Sequence, residues 1–259
     1  MDDYQTRGSL DGQVALITGA SRGIGFGIAK ALTARGARVV LTARKQEGLD
    51  QAIAELPEGN AIGFAGRAHD PDHQDEVLDG IARTYGRLDV LVNNAGINPV
   101  YGPLEDLDLD AARKVFEVNV FAGLSWVQKV LKHQKLHFRA NHGRIIFLSS
   151  VSSETPAPNI GLYGISKAAV AHLTRTLAVE LGPEIRVNAV SPAVVKTQFA
   201  TALYEGREDE VTAAYPLGRL GAPEDVGAAA AFLASDESSW VTAQVLALDG
   251  GLTSAGGTV

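Results

Sequence analysis

The chain alternates short, almost wholly apolar runs with longer mixed stretches. The runs lie at residues 14–18, 39–42, 61–64, 88–92, 144–148, 186–189 and 244–248, and they lack the in-out alternation of a half-exposed strand. A strand that is apolar on both sides is buried on both sides, the condition of a parallel sheet covered by helices. The stretches between them, at 26–34, 49–56, 74–85, 113–131 and 164–181, predict helices, the first closed by Gly36. Strand and helix in regular turn predict an α/β fold, a doubly wound parallel sheet of about seven strands with helices on both faces.

The chain has 259 residues, of which 46% are hydrophobic and 20% charged, ordinary values for a globular protein with a sizeable core. With no Pro/Ser-rich linker or low-complexity segment, residues 1–259 are expected to form a single domain. Residues 198–215 are polar and follow the sixth run, where open α/β sheets place their ligands, so a substrate lid is expected there.

A net charge of −7 argues against a general nucleic-acid or anionic-membrane surface while allowing a local anion pocket. The absence of cysteine removes disulfides, thiolate metal ligands and a cysteine nucleophile from consideration. Met1 to Gly12 is polar and acidic, and no later run has the length of a membrane span, so a cytoplasmic location is expected. His133, His137 and His142 fall close together, open to two readings, a metal site or a polar surface. No carboxylate or catalytic motif accompanies them, which favours the surface, and no metal is expected.

Between the first strand and first helix lie Gly19, Ser21, Arg22, Gly23, Ile24 and Gly25. Glycines here permit a tight turn and bring backbone N–H groups and a helix N-terminus against a pyrophosphate. An NAD site usually carries Asp or Glu at the end of the second strand for the ribose 2′-hydroxyl. Ala43 stands there instead, followed by Arg44. Two guanidinium groups, Arg22 and Arg44, would attract a 2′-phosphate that a carboxylate would repel. NADP(H) is therefore favoured, with NAD(H) as the alternative.

Tyr163 and Lys167 stand four residues apart, on one face of a predicted helix. The lysine charge would favour the phenolate and lower a pKa ordinarily near 10, making the phenol a proton donor and acceptor near neutrality. Taken alone such a pair usually only supports a helix, so its meaning depends on the rest of the chain.

The ordered set of Thr18 to Gly25, Asn93 to Gly96, Asn119, Ser150 and Tyr163 to Lys167 resembles the short-chain dehydrogenase/reductases of the single-domain, Rossmann-type kind. The resemblance extends from Asp11 to Gly251, through Pro216 to Arg219, Pro223 to Val226, Phe232 to Asp236 and Asp249 to Gly251. It implies Tyr163 as general acid in reduction, Lys167 as the residue that lowers its pKa and binds the nicotinamide ribose, and Ser150 as holder of the carbonyl oxygen. Asn119, in a distorted helix, would fix a water linking the lysine to solvent. Asn94, Ala95 and Gly96 would form the loop beneath the adenine ribose, and Val195 and Thr197 would meet the nicotinamide carboxamide. Asp70 is left with two readings, a bond to the adenine amino group or an N-cap for the helix that follows.

Two departures from the family pattern are Ala193 and Ala243, where glycine is common; alanine would be strained at either if the backbone there has positive φ. The resemblance is to 3-oxoacyl-carrier-protein reductases and to NADP-dependent carbonyl or retinal reductases. It implies NADPH-dependent reduction of a ketone or aldehyde, with an apolar pocket at Tyr101, Phe199, Leu203 and Tyr204. An NAD-linked alcohol dehydrogenase and a non-catalytic NADP(H)-binding sensor or scaffold are the alternatives. A carrier-protein partner would need basic residues at the mouth of the site, for which Lys129, Lys132, Lys135, Arg139 and Arg144 are the evident concentration. The resemblance implies a homotetramer, with a dimer as the second choice, packed through the helices at 113–131 and 164–181, which would otherwise expose Trp126, Leu173 or Leu177.

Overall fold

The computed structural model describes residues 8–258, so most of the stretch Met1 to Gly12 lies outside the described residues. Seven parallel strands form one sheet: β1 Val14–Thr18, β2 Arg38–Ala43, β3 Ala61–Ala65, β4 Val90–Asn93, β5 Arg144–Leu148, β6 Arg186–Pro192 and β7 Val245–Leu248, in the order β3-β2-β1-β4-β5-β6-β7. The order reverses direction after β1, so the switch point lies between β1 and β4, where a doubly wound sheet opens a crevice at its carboxyl edge.

Successive side chains of each strand point to opposite faces. Ala15 and Ile17, with Val39, Leu41, Val90, Val92, Ile146 and Leu148, pack into one core. Val14 and Leu16, with Val40, Leu91, Ile145, Phe147 and Val187, pack into the other. The first core is covered by α1 Gly23–Thr33, α2 Gln46–Ala54 and α9 Pro223–Ala234; the second by α3 Pro71–Thr84, α5 Ala122–Lys132 and α6 Gly161–Leu181.

The structure departs from the sequence pattern at three places. The single helix expected over 113–131 is α4 Leu109–Phe116, a π turn at Glu117–Phe121, and α5. Residues 223–234 form a helix that the apolar pattern did not single out. Its start carried a signal in Pro223 at the first position and Asp225, whose carboxylate accepts from Ala222 N at 2.7 Å. Finally, Trp126 and Leu177 are buried within the chain itself, Trp126 edge-on to His73, so they do not argue for subunit contacts. The apolar residues left outside on these segments are Phe121, Ile165 and Val179.

Ala243 has φ +61°, the strained conformation anticipated for it, whereas Ala193 is not among the residues with positive φ. Among the described residues no helix is long and apolar enough to cross a membrane.

Candidate active site

At the carboxyl edge of β1 the glycine loop and the β4 end are tied together. The Thr18 hydroxyl accepts from Asn94 N at 3.1 Å and Ala95 N at 3.0 Å. Asn94 Nδ2 donates to the carbonyls of Thr18 (2.8 Å) and Gly19 (3.0 Å). Gly25 admits this contact: a Cβ there would lie 2.5 Å from Asn94 Nδ2 and 2.6 Å from the Gly19 carbonyl. Gly19 and Gly23 both take positive φ, and α1 begins at Gly23 with no acidic residue in its first turn, leaving the helix N-terminus open to an anion.

A cleft of about 810 Å³ runs along this edge. It is lined by Gly19, Ser21 to Gly25, Ala43, Arg44, Asn94 to Gly96, Ser150, Tyr163, Lys167, Val195 and Thr197, so one concavity gathers all but two of the catalytic and cofactor-binding residues expected from sequence. Asn119 lies just behind it. Asp70 does not line it: its carboxylate accepts from Asp72 N at 3.0 Å as the N-cap of α3.

The cleft wall contains Arg22, Arg44, Arg67, Lys114 and Lys167 and no Asp or Glu, in a chain whose net charge is −7. This segregation suits an anion, and the glycine loop, the open α1 N-terminus and the cations at this edge fit the pyrophosphate of a dinucleotide. Arg67 and Lys114 were missed from sequence. Arg67 had a readable signal, since it stands two residues past the end of β3, next to the β2 end that Arg44 follows directly. Lys114 had none: its ammonium reaches Glu117 Oε2, three residues on, and His69 Nε2, both at 2.9 Å, and the contact with His69 exists only in the folded chain.

Ser150 sits just past β5, and Tyr163 and Lys167 lie on the first turns of α6. Lys167 is buried, and its ammonium donates to the Leu148 carbonyl at 2.6 Å, 5.5 Å from the centre of the Tyr163 ring. Burial lowers the lysine to about 8. Tyr163 does not show the depressed pKa expected from its neighbour. Burial pushes it up to about 12, the Ser150 hydroxyl pulls it down, and Tyr101 adds to the rise. The physical reason is that withdrawal of the phenol from water dominates, while the ammonium is bonded to the Leu148 carbonyl.

Asn119 stands in the π turn. Its Oδ1 accepts from Ile97 N at 2.8 Å, and its Nδ2 donates to the Ile97 carbonyl and to Ser166 Oγ, both at 3.0 Å. Ser166 in turn donates to the Tyr163 carbonyl at 2.7 Å. The side chain thus joins the β4 loop to the helix of Tyr163, and π turns of this kind recur at functional sites.

On the far wall, Val195 bridges to Gly221, and the Thr197 hydroxyl donates to the Val195 carbonyl at 3.3 Å. Residues 198–215 contain two short helices, α7 Thr201–Tyr204 and α8 Glu208–Thr212, with Glu208 ion-paired to Lys196. Tyr101, Phe199 and Leu203 line the cleft, and the Phe199 ring lies 6.2 Å from that of Tyr163. Tyr204 does not line it and packs against Val194, Ala200, Tyr215, Leu220 and Leu252. None of Lys129, Lys132, Lys135, Arg139 and Arg144 lines the cleft. Lys129, Arg139 and Arg144 are paired with Asp75, Glu184 and Asp236, and Arg144 opens β5 at the edge of the sheet opposite the cleft. His133 is bonded to Asp79, and no cluster of metal-ligating side chains occurs among the described residues.

Comparison with known proteins places the chain in a family. A family model described as enoyl-(acyl carrier protein) reductase matches residues 19–253. A dehydrogenase/reductase SDR family member 4 from Caenorhabditis elegans is 38% identical over 252 residues, covering 94% of this chain and 96% of the relative. A short-chain dehydrogenase/reductase SDRA from Arabidopsis thaliana is 35% identical, covering 95% and 96%. Among solved structures, a gluconate 5-dehydrogenase from Burkholderia cenocepacia, in complex with NADP and tartrate, superposes with a TM-score of 0.87 at 32% identity, covering 97% of this chain and 99% of that one. The chain belongs to the short-chain dehydrogenase/reductase family and is an NAD(P)-dependent oxidoreductase.

Proposed function

We propose that the protein is an NADPH-dependent reductase of small, apolar ketones or aldehydes. The observation that carries this reading is the division of one cleft into an end lined with cations and free of carboxylates and an end holding Ser150, Tyr163 and Lys167. Arg22 and Arg44 are both exposed at the cationic end, where a 2′-phosphate would bind, and the NADP of the gluconate 5-dehydrogenase supports the same preference. When bound, NADPH supplies the hydride that forms the new C–H bond at the carbonyl carbon.

The residues of this chain handle the oxygen. As the C=O π pair moves onto it, the Ser150 hydroxyl donates a hydrogen bond and Tyr163 transfers its proton, forming the O–H bond and leaving a phenolate. Lys167, held by Leu148, places positive charge near that phenolate. Asn119 fixes the β4 loop against α6 so that these groups keep their spacing. Phe199, Tyr101 and Leu203 favour an apolar substrate, and none of Lys129, Lys132, Lys135, Arg139 and Arg144, the basic residues named for a carrier protein, lines the cleft.

Exposed Phe121, Ile165 and Val179 along the π turn and α6 support self-association, for which a homotetramer is our reading and light scattering the check. Function itself is tested by following NADPH consumption across ketones, aldehydes and oxoacyl thioesters. Turnover of the apolar ketones, abolished by Tyr163→Phe, is expected; turnover unaffected by that change would reject the mechanism.

A further inference from the structure

The catalytic assignment gives Ser150 one task, to donate a hydrogen bond to the substrate oxygen. A serine hydroxyl has one proton and two lone pairs and can rotate to accept instead. In this chain its environment removes that freedom. Ser150, two residues past β5, is extended and caps a single 3₁₀ turn, Val151–Ser153. Its Oγ accepts from the amide of Ser152 at 3.3 Å and from the hydroxyl of Ser152 at 3.0 Å. Both serines are buried, Ser152 at 5% exposure and Ser150 at 8%. With two donors directed into its oxygen, Ser150 has its proton left to give, toward the cleft and Tyr163.

The turn that carries Ser152 is seated on the helix of Tyr163. A Cβ at Gly164 would lie 2.6 Å from the Ser152 carbonyl oxygen, so glycine directly after the tyrosine lets the turn rest on α6. One contact therefore sets the distance between the two serines and the phenol.

We propose that Ser152 is a positioning residue for the reduction: its hydroxyl orients Ser150 as a donor and strengthens that donation through a short hydrogen-bonded chain ending on the substrate oxygen. Hydroxyls linked head to tail polarise one another, so the Ser150 proton is a better donor with Ser152 behind it than without. The arrangement favours stabilising negative charge on the substrate oxygen, as the hydride-accepting direction requires. This inference rests on the reductase reading given above.

The test is a double-mutant cycle on Ser150→Ala, Ser152→Ala and the pair, measured in two ways. By kinetics, Ser152→Ala should lower kcat about 3- to 10-fold, the range of one ordinary hydrogen bond, with KM for NADPH unchanged. Ser152→Thr, which keeps the hydroxyl, should restore most of it. In the Ser150→Ala background, Ser152→Ala should have no further effect on kcat. By urea denaturation, the two single changes should be non-additive in the same way. Additive kinetic effects, or a Ser152→Ala enzyme as fast as the parent, would overturn the positioning role. Additive denaturation effects would overturn the contact itself. Absence of NADPH-dependent turnover in the unmodified protein would instead reject the reductase reading, and the denaturation cycle would still judge the contact.

Discussion

The two ends of the cleft are built in different ways. At the cofactor end the geometry is set by backbone: Thr18 and Asn94 bind two strand ends through main-chain groups, and Gly25 leaves no room for a side chain. At the substrate end the wall is made of side chains on loops and two short helices, and Tyr101 and Phe199 are 58% and 60% exposed beside the proposed proton donor. A backbone-built site tolerates few changes without losing its shape. A side-chain-built wall can exchange residues and change what it accepts while the chemistry next to it stays in place.

This contrast predicts a graded series of effects. The largest belongs to the chemistry shared by both ends: Tyr163→Phe should lower kcat by about 10²–10⁴-fold, the usual worth of a positioned proton donor, while leaving NADPH binding, followed by fluorescence, nearly unchanged. Gly25→Ala comes next. Its methyl would strike Asn94 and the Gly19 carbonyl, an overpacking that costs about 1–3 kcal/mol, so cofactor affinity and melting temperature should fall together. Phe199→Ala should raise KM for an apolar ketone several-fold and leave KM for NADPH alone. An equal effect on both would dissolve the distinction between the two ends.

A pH profile sharpens the same comparison. Lys167 loses its proton near 8 and Tyr163 keeps its own to about 12, so the reductive kcat/KM should be highest below pH 8 and fall as pH rises through that value. The limb belongs to the lysine, and Lys167→Arg should shift it upward. The smallest effect lies outside the cleft: Ala243→Gly relieves an alanine held at φ +61° and should stabilise the protein by about 1 kcal/mol, a rise of a few degrees in Tm.

Much of this was readable in the sequence because the five inner strands are buried on both faces, while the edge strands β3 and β7 are only part-buried yet still apolar in composition. Apolar runs located all seven, β5 with its observed ends, since nothing but a two-sided core explains 144–148. The apolar pattern of Glu117 to Phe121 is that of an ordinary helical turn, and the distortion expected at Asn119 came from the resemblance alone; the π turn is found there. Within that turn Asn119 bonds both ways to Ile97, a contact 22 residues away. Trp126 likewise read as a surface residue until α3 was seen to cover it. Among the site residues, those fixed by local spacing, such as Tyr163 and Lys167, came together in the cleft. Lys114 did not stand out, because its role depends on His69 from another loop, and Ser152 did not either, because its partner was itself one of many serines.

The central claim is that a cleft with five cations and no carboxylate in its wall selects a cofactor bearing the extra phosphate. Its most direct test is kcat/KM for NADPH against NADH, on one good ketone, in the parent protein and in Arg22→Ala/Arg44→Ala. A charge-assisted bond to phosphate contributes about 1.5–3 kcal/mol, so the parent should prefer NADPH by at least about 10-fold, and the double variant should lose most of that preference with little change for NADH. Equal or better use of NADH by the parent, or a preference that survives the loss of both arginines, would contradict the account.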